Sequence, residues 1–261
     1  MIISVPVSEL FRYPTVESEH VDDALYGTEV TVLDSLCGFK KIRTSYGYEG
    51  YVRETDISEK LASPNRIIVY PWADLKPAGS NFYAPIMALP MGSLVDAGFS
   101  EELGRHAMIV LPDKRMFYIR KEALGVIPHI TDEDEARKVI VDSALSFIGT
   151  QYRWGGRTHN GVDCSGLAFT AYQMAGITVW RDADPDRTEG MKLYQPDQLK
   201  DCAKPGDMLF FPGHVALYLG KNKFVHASSG RGAVGINSLD PEDLDYNKWC
   251  NENLKCIGSM F

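Results

Sequence analysis

The sequence predicts an α+β protein in which two small β-rich modules precede a larger domain, with helices first and an antiparallel sheet after them. Three observations carry this. The first 125 residues contain a weak internal repeat with a period of about 65. Apolar residues at helical spacing begin only after residue 131. Beyond Pro205-Gly206 the pattern turns to short strand-forming runs. At 261 residues, 44% of them hydrophobic, the chain can bury a core in each part.

The repeat holds at three points. Val5-Pro-Val-Ser-Glu-Leu10 is echoed by Tyr70-Pro-Trp-Ala-Asp-Leu75, Leu25-Tyr-Gly-Thr-Glu-Val30 by the region around Gly92 and Val95, and Tyr51-Val-Arg-Glu54 by Tyr118-Ile-Arg-Lys121. Runs such as Glu29-Val-Thr-Val-Leu33 and Lys40-Lys-Ile-Arg-Thr44 alternate with glycine-containing turns, so each copy reads as a small β-barrel, over residues 1–60 and 61–127. The third part, 128–261, opens at Thr131-Asp-Glu-Asp134, a threonine cap with acidic residues in the first turn. Ala136, Val139, Ile140, Ala144, Leu145 and Ile148 follow at helical spacing, and Gly149 closes that helix. A second helix is expected from about residue 163 to 173, with Leu167, Ala171 and Met174 on one face and Gly176 past its end. Strands are expected at 208–211, 214–219 and 224–227.

Composition narrows the function. With 27 basic against 35 acidic side chains the net charge is −8, which argues against nucleic acid and suits a neutral or cationic partner. The start, Met-Ile-Ile-Ser-Val-Pro-Val, lacks the basic region and longer apolar core of a secretory signal, and no run approaches the roughly 20 apolar residues of a membrane span. A soluble, cytoplasmic monomer is the expectation. The five cysteines are odd in number and form no CxxC pair, against both a disulfide framework and a zinc site. No metal and no organic cofactor is expected.

One cysteine stands apart. Cys164, in Gly161-Val-Asp-Cys-Ser-Gly-Leu167, sits at a helix start, where unpaired N–H groups and the helix dipole favour thiolate over thiol. Its neighbours Asp163, Ser165 and Gly166 are too polar and small for a packed core and leave room for a substrate backbone. A cysteine nucleophile needs an imidazole to take and return its proton, and His214 and His226 lie on neighbouring expected strands of the same domain. A plain tight hairpin leaves these two histidines out of register, so contact between them requires a bulge or bend. Cys37, Cys202, Cys250 and Cys256, with His20, His106, His129 and His159, are read as structural.

These residues resemble the NlpC-type cell-wall cysteine peptidases. The resemblance rests on Gln151-Tyr-Arg-Trp-Gly-Gly156, Gly161-Val-Asp-Cys-Ser-Gly-Leu167, Lys204-Pro-Gly-Asp-Met-Leu-Phe210, Gly213-His-Val-Ala-Leu-Tyr-Leu-Gly220 and Phe224-Val-His-Ala227, in the family's order. It implies a papain-like fold over about 131–261, with Cys164 as nucleophile, His214 as general base and acid, His226 orienting His214, and Tyr152 beside the nucleophile. Asp163 and Ser165, flanking the cysteine, are expected to touch substrate. The front half looks like two bacterial SH3-like modules, a combination similar to γ-D-glutamyl-L-diamino acid endopeptidases, which act in the cytosol on peptidoglycan-derived peptides with a free N-terminal L-Ala. In such enzymes the first module walls off the non-primed side; the matching residues are Tyr48, in Tyr48-Glu-Gly-Tyr51, and Glu19. A buried ammonium must be paired, and Glu19 with Asp182, in Val179-Trp-Arg-Asp-Ala183, supply the carboxylates. Trp180 and Ala183 depart from the family's proline and serine. The rival readings are a secreted hydrolase or amidase acting on intact cell wall, and a catalytically idle binding protein.

Overall fold

The computed structural model describes residues 1–59, 63–79 and 82–261, and the chain divides into two units, Met1–Pro128 and His129–Phe261. The expected boundary between the first two modules, at residues 60 and 61, lies outside the described residues.

The first unit is built from short antiparallel strands. β1 (Val7–Phe11), β2 (His20–Leu25), β3 (Val30–Leu36), β4 (Phe39–Thr44) and β5 (Glu49–Arg53) form one sheet in the order β2-β1-β5-β4-β3. Alternation along the strands turns Leu10, Ala24, Val30, Ile42 and Val52 into a core with Ile3 and Ile57. The later strands β6 (Arg66–Ile68), β7 (Trp72–Leu75), β8 (Met87–Pro90), β9 (His106–Val110), β10 (Met116–Arg120) and β11 (Leu124–Val126) surround a second core that includes Ile68, Leu75, Leu89, Ile109, Phe117 and Ile119.

The repeat read from the sequence is also a repeat of backbone hydrogen bonds. Gly27 N–H donates to Ile3 and Tyr26 N–H to Pro6; 65 residues on, Gly92 donates to Ile68 and Met91 to Pro71. Gly27 and Gly92 both take positive φ, +81° and +89°. Gly27 has a second reason to lack a side chain, because a Cβ there would stand 2.0 Å from the Leu94 carbonyl oxygen. Leu94 N–H donates to the Tyr26 carbonyl at 2.9 Å at the same place, and Tyr26 is buried in the second core.

The second unit has its helices first. α1 (Glu133–Ser146) is capped by Asp132, whose side chain accepts from Glu135 N–H at 2.8 Å; the expected cap, Thr131, lies one residue too early. Buried Arg137 on α1 donates to the Pro205 carbonyl, Asp207 and Ser259, at 3.0, 2.9 and 3.1 Å, tying the helix to the sheet. α2 (Cys164–Met174) is buried along nearly its whole length and packs on α1 and on the sheet. The strands are β12 (Lys192–Tyr194), β13 (Met208–Phe211), β14 (His214–Gly220), β15 (Lys223–Ser228) and β16 (Ala233–Ser238), followed by α3 (Lys248–Asn253) and β17 (Cys256–Ser259). Their order is β12-β17-β13-β14-β15-β16, antiparallel throughout. Helices before an antiparallel sheet is the α+β arrangement expected. Among the described residues no helix is long and apolar enough to cross a membrane.

Candidate active site

Cys164 is the first residue of α2 and 7% exposed. Asp163, just before it, caps the helix by accepting from Gly166 N–H at 2.6 Å. The other carboxylate oxygen accepts from Gly155 N–H at 2.7 Å, which holds the Trp154-Gly-Gly156 loop against the helix start. The glycines of both motifs are steric requirements, since a Cβ on Gly166 would fall 2.2 Å from the Gly156 carbonyl oxygen. Beneath this lies Arg181, 1% exposed, which donates to both Asp163 oxygens at 3.1 and 3.2 Å and to Ser165 Oγ at 2.9 Å. Asp163 and Ser165 are therefore buried and engaged under the nucleophile, and neither lines the cavity above it.

The histidines meet because of a bulge. The turn Lys221-Asn222 has φ of +50° and +61° and sets Gly220 opposite Lys223. Continued evenly, that register would place His226 opposite Leu217, on the face away from His214. The pairing shifts after Tyr218, leaving Leu219 as the extra residue, and Leu217 then faces Val225. His226 falls opposite Ala216 and shares the face of His214. His214 Nε2 and His226 Nδ1 are 2.8 Å apart.

Asn237, on β16, extends this chain and was not singled out in the sequence. Its Oδ1 lies 3.0 Å from His226 Nε2, while its Nδ2 donates to the Asp245 carbonyl at 2.8 Å. A backbone carbonyl only accepts, so the amide orientation is set. Oδ1 then accepts from His226 Nε2–H, His226 Nδ1 accepts from His214 Nε2–H, and His214 Nδ1 keeps its lone pair. That nitrogen is the atom able to take a proton.

The electrostatics differ from the expectation of a resting thiolate. Burial first, and the Asp163 charge second, push the Cys164 thiol up to about 11. The Val215 and Ser165 backbone N–H groups and Arg181 act the other way and are outweighed. Burial, then the neighbouring His226, lower His214 to about 4. Both shifts favour thiol and neutral imidazole over the ion pair, because burial opposes the charge that a helix start favours.

A cavity of about 420 Å³ opens beside these groups, lined by Tyr152, Cys164, His214, His226, Asn247 and Trp249 among others. Tyr152 is held by its N–H on the Gly232 carbonyl at 2.8 Å, and burial raises its hydroxyl to about 12, so it stays protonated. Asp182 follows Arg181 and is exposed. Glu19 and Tyr48 belong to the first unit, where Glu19 pairs with Arg12 at 2.6 Å and Tyr48 packs against the first core. Among the described residues no group of three or more His, Cys, Asp or Glu side chains converges as metal ligands would.

Comparison with known proteins fits this geometry. Over the whole chain the sequence is 34% identical to "Dipeptidyl-peptidase 6" of Lysinibacillus sphaericus, covering 99% of that protein. It is 26% identical to "Gamma-D-glutamyl-L-lysine dipeptidyl-peptidase" of Bacillus cereus, with 83% of this chain and 70% of that one aligned. The crystal structure of an NlpC/P60 family protein from Bacillus cereus superimposes with a TM-score of 0.79 at 20% identity, covering 98% of this chain and 97% of that one, which establishes the shared fold. Residues 149–250, which carry Tyr152, Cys164, His214 and His226, match the NlpC/P60 family model, and with the full-length relative they place the chain in the NlpC/P60 family of cysteine peptidases.

Proposed function

We propose that the chain hydrolyses the γ-D-glutamyl–L-diamino acid bond of peptidoglycan-derived peptides that carry a free N-terminal L-Ala, releasing L-Ala-γ-D-Glu. The observation that carries the chemistry is the single cavity shared by Cys164, Tyr152, His214 and His226. The name of the Bacillus cereus relative supports the choice of bond, and that of the Lysinibacillus sphaericus relative supports release of a dipeptide; both are similar far beyond the peptidase unit.

In this reading His214 Nδ1 takes the Cys164 proton as the sulfur attacks the γ-carbonyl. Backbone N–H groups at the start of α2 and the Tyr152 hydroxyl stabilise the oxyanion. The His214 imidazolium returns its proton to the departing amine, and water then hydrolyses the thioester of L-Ala-γ-D-Glu. His226 and Asn237 fix the tautomer, while Asp163, Ser165 and Arg181 position the nucleophile in place of the substrate contact first expected of Asp163 and Ser165. The substrate-binding roles expected of Glu19, Tyr48 and Asp182 belong to the same proposal. The two repeats are SH3-like modules over 1–60 and 61–127, and the enzyme works in the cytosol as a monomer without metal or cofactor.

The test is incubation of L-Ala-γ-D-Glu-L-Lys with the wild type and with Cys164→Ala. Dipeptide release that survives the substitution sinks the nucleophile assignment. Undiminished cleavage of the N-acetylated peptide refutes the amine requirement.

A further inference from the structure

The second module holds a cavity that its own repeat partner fills. In the first module Arg53 is neutralised internally: it lies 3.1 Å from Glu9 and 3.9 Å from Asp56. Its guanidinium carbon sits 5.4 Å from the centre of the Phe11 ring, and Phe11 meets Phe39 edge to face at 6.1 Å. Ser8 donates to Asp56 at 2.8 Å, closing the floor of the cluster.

Strand register maps this cluster onto the second module. Phe11 pairs with Tyr51 and Phe39 with Arg53; Lys76 pairs with Tyr118 and His106 with Arg120. Lys76 and His106 thus replace the two phenylalanines, Arg120 matches Arg53, and Asp74 replaces Glu9 with a shorter carboxylate. The buried pair Ser8 and Asp56 becomes Ala73 and Ala123. Each of these exchanges removes volume or negative charge, while Tyr70 and Trp72, in place of Val5 and Val7, add aromatic walls.

What remains is a cavity of about 290 Å³ whose lining includes Tyr70, Trp72, Lys76, His106, Tyr118 and Arg120, with Asp74 its one carboxylate among the described residues. Arg120 is half-buried, and among the described residues its guanidinium has no hydrogen bond or ion pair. Among the described residues Lys76 has one ion-pair partner, Asp74, at 3.9 Å and half exposed. Donors converge here and acceptors are scarce. A half-buried guanidinium without a counter-anion is unfavourable, and its planar fork suits a carboxylate or phosphate. The volume is near the roughly 300 Å³ lower end of small-ligand sites.

We propose that this cavity binds a small oxyanion, carboxylate or phosphate, carried on a flat or apolar body that lies against the Trp72, Tyr70 and Tyr118 rings. His106, read from the sequence as structural, becomes a wall of the site.

Calorimetric titration of the full chain with phenyl phosphate and, separately, benzoate tests it. At least one probe should bind saturably and more weakly at high salt. Arg120→Gln should weaken binding about tenfold or more. The triple substitution Asp74→Glu, Lys76→Phe, His106→Phe, which rebuilds the plug of the first module, should abolish it while cleavage of L-Ala-γ-D-Glu-L-Lys is unchanged. Preference for phenyl phosphate identifies a phosphate ligand, and equal binding or a preference for benzoate a carboxylate one. No saturation by either probe up to about 10 mM, or undiminished binding by both variants, overturns the proposal.

Discussion

Replacing Arg181 by leucine isolates the charge beneath the nucleophile. The Arg181 and Asp163 side chains are 1% and 8% exposed and meet at 3.1 Å. At a surface such a pair contributes about 0–1 kcal/mol. Here the carboxylate would be stranded with only the Gly155 and Gly166 N–H groups and the Ser165 hydroxyl, and a loss of about 3–5 kcal/mol is expected. Adding Asp163→Asn removes the stranded charge, so the double variant should lose less than the two single variants together, by about 2 kcal/mol. Urea unfolding at unchanged slope measures this. A second readout is chemical: Asp163 raises the Cys164 pKa and Arg181 lowers it. The pH midpoint of iodoacetamide alkylation, followed on the Cys164 peptide by mass spectrometry, should rise in Arg181→Leu and fall back in the double variant. Strictly additive stabilities, or an unmoved midpoint, would refute the coupling.

Asn237→Ala should lower kcat about tenfold with little change in KM, because it leaves the buried His226 N–H without its acceptor. Asn237→Asp should shift the acid limb of kcat/KM to higher pH, since a carboxylate favours protonated His226 and so spoils the tautomer of His214; an unmoved limb argues against the relay. For the wild type, His214 lowered to about 4 places the acid limb of kcat/KM well below pH 6, and a limb at the ordinary histidine value contradicts the burial argument. Stability carries the same sign. The unfolded chain takes up a proton near pH 6.5 that folded His214 refuses until about 4, so stability is lost as pH falls through that window, by roughly 3 kcal/mol. His214→Gln should flatten that part of the urea-midpoint profile; an equally steep profile in the variant refutes it.

Much of the peptidase unit was legible because its signals are local. The spacing of Ala136, Ile140 and Ala144 and the polar start at Asp163 mark α1 and α2 without reference to anything distant. The need for a bulge or bend between His214 and His226 was legible too, because a plain hairpin leaves them out of register, although its position at Leu219 was not. Asn237 escaped because its meeting with His226 depends on the register of β15 against β16, which residues 229–232 set. Arg181 escaped for a different reason: a lone arginine in a loop looks solvated, and only the tertiary fold buries it under Asp163. The thiol was misjudged because helix position can be read from sequence and desolvation cannot. In the first unit the repeat was visible, but the emptied cluster around Arg120 appears only when the two registers are laid over each other.

Burial of Cys164 has a meaning for survival as well as for reaction. Thiolate is the form that attacks peroxides and disulfides, and burial holds the Cys164 pKa high, on the side of the thiol. Cys37, by contrast, is exposed. The same desolvation that dries the cleft thus also sets how readily its sulfur reacts with anything other than substrate.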